Sequence, residues 1–367
     1  MNGLKGPRGR LAVKKHSDSK GWTIGLDLGD RFSQVCVLNA AGEVEARLRV
    51  ATTPKGLEAG LRRYAGARVV LEVGTHSPWV SHWLEGAGYE AIVANPRRLR
   101  SITQSDRKDD RADAEQLARL GRVDPRLLSP IRHRGLEAQR DRALLRVRDG
   151  LVRARTLLVN QARGLAKPLG LRLPKCMTEG FASRMRREGL AEAFPGMAAL
   201  VETVEQLTRK IRALEREIEA VSRERYPETE LVRQVSGVGP VTGLAFVLTL
   251  EDPRRFSRSR SVGAYLGLRP RRRQSGEQDP MLRITKAGDP YLRRLLVQSA
   301  HYILGPFGTD TDLRRFGERL RARGGRAGRK KALVAVARKL AVLLHRLWVT
   351  GEVYEPLRGA GPQATTA

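Results

Sequence analysis

The sequence predicts an α/β plus α fold: a mixed sheet covered by helices, then a helical middle region, then a mostly helical C-terminal region. Three observations predict it. Strand and helix signals in the first third run in the order βββαβαβα, so three antiparallel strands lead into parallel strands joined by helices. Residues 137–168 lack strand signals. Residues 200–221 carry apolar side chains spaced alternately by four and three.

The elements follow in order. "MNGLKGPRGRLAVKKHSDSK" (1–20) is basic without an apolar run, which predicts a disordered arm and not a secretory signal. A domain is expected over 21–135. In "GWTIGLDLGDRFSQVCVLNAAGEVEARLRVATT" (21–53), apolar runs at Trp22–Leu28 and Gln34–Leu38 flank the turn residues "GDRFS", and "AG" at 41–42 turns into a third run. Pro54 suits the first turn of a helix. "ARVVLEVG" (67–74) is a short, β-branched run of the kind buried on both faces of a sheet. "SPWVSHWLEGAG" reads as a helix with a Gly stop, and "YEAIVANP" as a strand before another helix.

A helical region is expected over 136–228. Val204, Ile211 and Ile218 occupy one heptad position and Leu200, Leu207 and Leu214 the other, with Val221 closing the series. β-Branched residues at a and Leu at d favour a two-stranded coiled coil. Packing against helix 137–168 of the same chain fits the pattern equally, and the sequence leaves both open. A third region is expected over 229–350. It opens with "GVG" between two helical stretches, the spacing of a helix–hairpin–helix whose turn approaches a phosphate. An Arg-rich segment follows, then "RKKALVAVARKLAVLLHRLW" (329–348), read as a core-docking helix with a solvated basic face. Residues 351–367 are expected to be a disordered tail.

The 367 residues include 69 Lys and Arg against 39 Asp and Glu, a formal charge of +30. Such a field suits a nucleic-acid backbone. A membrane partner is not expected. No window reaches the roughly 18 apolar residues of a span, and the termini carry neither a lipidation motif nor an amphipathic basic helix. Cys36 and Cys176 form no disulfide framework and lack metal-ligand spacing, so a reducing cytoplasm fits.

Against that positive background, "DRKDDRADAEQLARL" (106–120) concentrates five acids: Asp106, Asp109, Asp110, Asp113 and Glu115. Helix capping and dipole complementarity explain one or two of them. They do not explain Asp27 in "IGLDLG" or Glu72 in "VVLEVG", acids set inside apolar strands where burial without a partner is costly. Asp110 and Asp113, three apart, share one helix face. Four carboxylates so arranged suit Mg²⁺, with Mn²⁺ as a substitute, because these ions prefer oxygen donors. Paired ions would serve in-line phosphoryl transfer on a polynucleotide.

The topology, with Asp27 on the first strand and Glu72 on the fourth, resembles the RNase H-like fold in its RuvC resolvase form. "KDDRADAEQLA" resembles the K-[T/N]-D-x-x-D-A signature of the DEDD transposases of insertion-sequence family one-ten, relatives of the Piv DNA invertases. In that match Asp110 and Asp113 are the third and fourth carboxylates, and Asp109 stands where the family has Thr or Asn. "VSGVGPVTGLAFVLTLEDPRRFSRSRSVGAYLGLRPRRRQSG" and "RITKAGDPYLRRLLVQSA" resemble the family's C-terminal transposase domain. The resemblance implies excision and insertion of an element by DNA strand exchange between donor and target duplexes, guided by a structured bridge RNA. It also implies a serine nucleophile, Ser275 in "RRRQSGEQ". Attack by that hydroxyl would leave a phosphoserine link that conserves bond energy for rejoining. Arg271, Arg272 and Arg273 are then expected to position the phosphate, with Lys286 as a further nucleic-acid contact. Joining two duplexes calls for at least a dimer, and a tetramer in the synaptic state.

Three other readings compete. A metal-dependent nuclease or junction resolvase would need the four acids but not Ser275. A sugar kinase of the actin-like ATPase type is suggested by "GLDLGDRFS" and "EVGTHS", but the net charge and the acidic helix argue against it. A non-catalytic nucleic-acid binder would use the acids only as caps.

Overall fold

The computed structural model describes residues 21–95, 110–272 and 282–359, apart from the side chains of Asp110 and Arg326. Asp106, Asp109, Arg273 and Ser275 lie outside the described residues, as do the arm 1–20 and residues 360–367. The chain forms two compact units, residues 1–136 and 137–367.

The first unit is built on five strands: β1 (Thr23–Asp27), β2 (Phe32–Leu38), β3 (Val44–Ala51), β4 (Arg68–Glu72) and β5 (Glu90–Ala94). Their order is β3-β2-β1-β4-β5. The first three pair antiparallel, and β4 and β5 continue parallel to β1. This is the mixed sheet that the sequence predicts, with β1 at its centre. Alternation along the strands sorts the faces. Ile24, Leu26, Val69 and Leu71 form one core with Leu57 and Leu61 of α1 (Pro54–Leu61) and Val80 and Leu84 of α2 (Ser77–Gly86). Thr53 caps α1 by accepting the Gly56 N–H at 3.1 Å, and Pro54 fills its first turn.

The opposite face is covered by α3 (Asp110–Val123). Leu117 packs with Val70 and Ile92, and Ala114 and Ala118 pack with Cys36 and Leu38. Two glycines set the spacing. A Cβ on Gly121 would fall 2.2 Å from Val70 Cγ2, and one on Gly25 would fall 2.7 Å from the Ala118 nitrogen. Arg68 Nη1 donates to the Gly121 carbonyl at 3.1 Å, tying the C-terminal half of α3 to the start of β4.

The second unit is helical. Its long helices α4 (Leu136–Ala166) and α6 (Met197–Arg225) pair within the chain. Arg148 bridges to Glu215, and the buried Arg155 donates from Nη1 to Thr208 Oγ1 at 3.4 Å. Phe181 and Met185 of α5 (Phe181–Arg187) pack between them with Val159 and Val201. Val204, Ile211 and Ile218 are buried, as their heptad position predicts. The second buried line is not the predicted one. It runs through Val201, Thr208 and Ser222, while Leu200, Leu207 and Leu214 stay half-buried on the flank.

The remaining helices are α7 (Thr229–Arg233), α8 (Pro240–Leu250), α9 (Arg260–Tyr265), α10 (Pro290–Ile303), α11 (Asp312–Arg321) and α12 (Gly325–Thr350). Every residue of α8 from Thr242 to Leu250 is buried, as a helix apolar on every side except at Thr242 and Thr249 requires. Asp289 caps α10, accepting from the Tyr291 and Leu292 amides at 2.7 and 3.1 Å. It also accepts from Arg142 at 2.7 Å and Arg146 at 3.0 Å on α4. Burial pushes its carboxyl up. The Leu292 amide and the two guanidinium groups outweigh that push and hold it below the usual carboxylate range.

Residues 351–359 depart from the expected disorder. Tyr354 packs on the core, the Pro356 carbonyl accepts from the Asp312 amide at 2.8 Å, and the Gly359 amide donates to Asp312 Oδ2 at 2.7 Å. One aromatic ring and two paired backbone groups fix a segment whose polar composition suggests none. No described helix is long and apolar enough to cross a membrane.

Candidate active site

β1 and β4 are parallel neighbours with Leu26 opposite Leu71, so each strand ends one residue later in an acid, Asp27 and Glu72. Alternation puts Asp27 on the face of Gly25 and Glu72 on the face of Val70, which is the face under α3. α3 runs antiparallel to these strands. Arg68, the first residue of β4, donates to the Gly121 carbonyl, and Arg122 donates to the Asn39 and Ala40 carbonyls beyond the end of β2, beside the start of β1, so the C-terminal half of α3 lies over the strand starts and its N-terminal turn lies toward the strand ends. Asp113, half-buried, immediately precedes Ala114. Two strand ends and one helix start therefore bring three of the four predicted acids to the carboxyl edge of the parallel strands, a frequent ligand position in such sheets. Asp110 opens the same helix, and its side chain lies outside the described residues.

The strand acids are less enclosed than the sequence suggests. Glu72 is exposed and Asp27 half-buried, because each is the last residue of its strand. Neither bears the full desolvation cost of a mid-strand acid. Oxygen donors at an accessible edge suit a hard divalent ion. Among the described residues, however, no three His, Cys, Asp or Glu side chains stand together as a ready metal-ligand group.

Glu115 is engaged elsewhere. Its carboxylate takes Arg47 of β3 at 2.6 Å and Arg119 at 2.6 Å, and these hydrogen bonds hold it below the usual range. It ties α3 to the far side of the sheet. Burial pushes the Cys36 thiol up, as expected of an inert core cysteine.

The loops beyond the two strand ends are also tied. Thr52 Oγ1 donates to the Gly29 carbonyl at 2.9 Å and shares a 2.8 Å hydrogen bond with Ser33, bracing the β1–β2 turn. His76, after β4, lies 3.3 Å from Asp30 of that turn. Trp79 Nε1 lies 3.0 Å from His76 Nδ1 and can only donate, so the ring's proton sits on Nε2 and faces Asp30. Sequence reasoning passed over this pair. Nothing in "GDRFS" or "EVGTHS" shows that the two loops meet.

In the second unit, Arg271 and Arg272 are exposed, and so is Lys286. Their segments pair across the Pro270–Ile284 bridge, with Arg271 N–H to the Arg283 carbonyl at 3.0 Å and Thr285 N–H to the Arg269 carbonyl at 2.9 Å. Lys286 holds φ 54, an uncommon value for a residue with a side chain. The "GVG" turn is committed to packing at its first glycine. Gly237 has φ 90, and a Cβ there would fall 2.9 Å from Tyr302 of α10.

Comparison with known proteins bears on both units. The family described as "Transposase IS116/IS110/IS902 family" matches residues 229–307, and a DEDD transposase family of IS110 type matches residues 24–168. The transposase for insertion sequence element IS1111A of Coxiella burnetii is 30% identical over 349 residues, covering 90% of each chain. A probable family 20 transposase of Pseudomonas aeruginosa is 27% identical, covering 79% of this chain and 86% of that one. The transposase for IS1328 of Yersinia enterocolitica is 28% identical, covering 76% and 82%. The chain belongs to the IS110 family of DEDD transposases and is a DNA transposase.

Proposed function

We propose that this transposase excises and inserts DNA by strand exchange, using a RuvC-like carboxylate site together with a serine nucleophile, under the direction of a bridge RNA. The observation that carries the reading is the side-by-side ending of β1 and β4 in Asp27 and Glu72 on the face covered by α3. Asp27, Glu72 and Asp113, with Asp110, would hold divalent ions, Mg²⁺ by preference and Mn²⁺ as a substitute. Bound there, such ions would activate an attacking oxygen and stabilise a leaving one.

The chain's own share of the chemistry falls to Ser275 and its neighbours. The Ser275 Oγ–P bond forms as a P–O bond of the DNA backbone breaks, and the departing DNA oxygen takes a proton. A hydroxyl from the second duplex then attacks the phosphoserine and regenerates the serine, so no bond energy is lost between cutting and joining. Arg271 and Arg272, with Arg273, offer planar donors for the phosphate. Guidance by a bridge RNA is carried over from the family resemblance and suits a chain of charge +30.

Residues 21–135, 136–228 and 229–350 would act as a carboxylate domain, an assembly region and a nucleophile domain. Leu200, Leu207 and Leu214, half-buried in the monomer, are the surface on which a coiled coil between two copies would form. A dimer, and a tetramer at synapsis, would follow.

The test combines purified protein, guide RNA, donor and target DNA and Mg²⁺. Asp27→Ala and Ser275→Ala should each abolish recombination. The parent should leave a protein–DNA adduct that survives denaturation, and Ser275→Ala should not. Full recombination by either variant removes the role assigned to that residue. Mg²⁺-dependent cutting with no adduct would favour a nuclease without a covalent intermediate.

A further inference from the structure

One groove in the second unit, walled on one side by α12, encloses about 1570 Å³. That exceeds the roughly 300–1,000 Å³ of small-molecule pockets and suits a polymer. Its lining divides by chemistry. Leu268, Ile284, Phe316, Leu320, Val334 and Leu343 make an apolar floor. Arg323, Lys330, Lys331 and Lys339 stand exposed along α12 and the turn before it. Arg338 of α12 lines the groove as well, and Arg260, Arg283 and Lys286 line it from other segments.

None of these eight cations forms an ion pair with a described residue, although arginines elsewhere in the unit are repeatedly paired with acids. Lys339 instead stands 4.2 Å above the Phe316 ring. The groove's acids, Asp312, Glu352 and Glu355, are few, and Glu352 is already shared by Arg346 and Arg358. Unrelieved repulsion among so many cations is stabilised by a polyanion.

We infer that this groove binds an unpaired DNA strand, with phosphates on the cationic rim and base faces on the apolar floor. Intact duplex keeps its bases stacked inside and would leave that floor empty. Single strands present both backbone charge and base faces, which is the combination found here. The strand exchange proposed above, on which this inference rests, requires strands to leave their duplexes, and the groove gives one of them a place to lie. Lys286 and Arg283, at the root of the segment that carries Ser275, belong to the same lining.

The test is fluorescence anisotropy of the full chain with a labelled single-stranded DNA of about 15 nucleotides, near the upper site size of one single-strand-binding module. The assay contains no metal and needs no cutting, so it reads the groove independently of the carboxylates and Ser275. The triple variant Arg323→Glu/Lys331→Glu/Lys339→Glu should bind at least about tenfold more weakly and lose about 2 from the salt-dependence slope, at ~0.7 per single-strand phosphate contact. Arg209→Glu/Lys210→Glu/Arg216→Glu on α6 makes the same charge change outside the groove and should lose far less. The neutral pair Lys331→Gln/Lys339→Gln should move affinity in the same direction by a smaller factor, with an unchanged thermal melt. The inference is overturned if the groove variants bind as well as the parent or no worse than the α6 control. It is equally overturned if duplex DNA or RNA of the same sequence displaces the label at lower concentration than single-stranded DNA.

Discussion

A Cβ atom on Gly25 would fall 1.8 Å from the carbonyl oxygen of Ala114, so β1 and α3 meet backbone to backbone. The contact lies two residues before Asp27 and one after Asp113. The position of one acid relative to the other therefore depends on a missing side chain.

Gly25→Ala should push α3 off the sheet. Overpacking of this kind costs about 1–3 kcal/mol, readable as a lower urea midpoint. Strand cutting should fall further than the stability loss explains, because Asp113 moves with the helix. Wild-type cutting by a Gly25→Ala protein would show that the acids need no such closeness.

Glu72→Gln separates chemistry from stability. Glu72 is exposed at a strand end, so the substitution should change unfolding free energy by less than about 1 kcal/mol. Mg²⁺-dependent cutting should drop by roughly a hundredfold, the upper end of what even outer-sphere changes cost metal sites. A gel assay and a thermal melt on the same preparation check both halves.

Glu115→Gln is the contrasting case. It removes the pairs with Arg47 and Arg119, both more than half exposed. Exposed ion pairs contribute about 0.2–1 kcal/mol. Cutting should persist at near-parent rates, which would set this acid apart from Asp113, two residues away.

Asp289→Asn should lower stability at neutral pH by about 1.5–3 kcal/mol, the usual worth of hydrogen bonds to a charged group. Its carboxyl titrates below the usual 3.8 in the folded chain. The stabilisation is therefore present above that value and is lost as pH falls through the lower, folded value. Parent and variant melting temperatures should differ at pH 7 and converge in acid below 3.8. A constant gap across that range would show that the carboxylate charge is not what holds α10 to α4.

The sheet was legible because each strand announced itself by apolar alternation and each turn by Gly or Asp. The strand acids were legible as anomalies against those runs. Their exposure was not, because only the pairing register shows that Asp27 and Glu72 end their strands. The heptad on α6 was half legible. Val204, Ile211 and Ile218 carry the apolar signal of their buried position, but Thr208 and Ser222 are polar and carry none, and Thr208 is acceptable in the interior because buried Arg155 reaches it from the facing helix. The groove beside α12 was hidden for a related reason. The helix buries Ala332, Val336, Leu340 and Leu344 on one side and lines the groove with Lys331, Val334, Arg338 and Lys339 on another. A core-docking helix with a solvated basic face describes both sides, but not the apolar floor that other segments set beside the second.

The largely apolar surface of α8 also bears on how the protein is made. The ribosome releases α8 well before α10 and α12, whose Leu292, Leu296, Leu340 and Leu344 join its core. Until they emerge, Phe246 and its neighbours have only earlier, incomplete partners. A message cut short soon after residue 250 yields a chain with that helix bare, a substrate for proteases and a seed for aggregation. A chain truncated near residue 250 is therefore expected in the insoluble fraction, where the full-length chain is not.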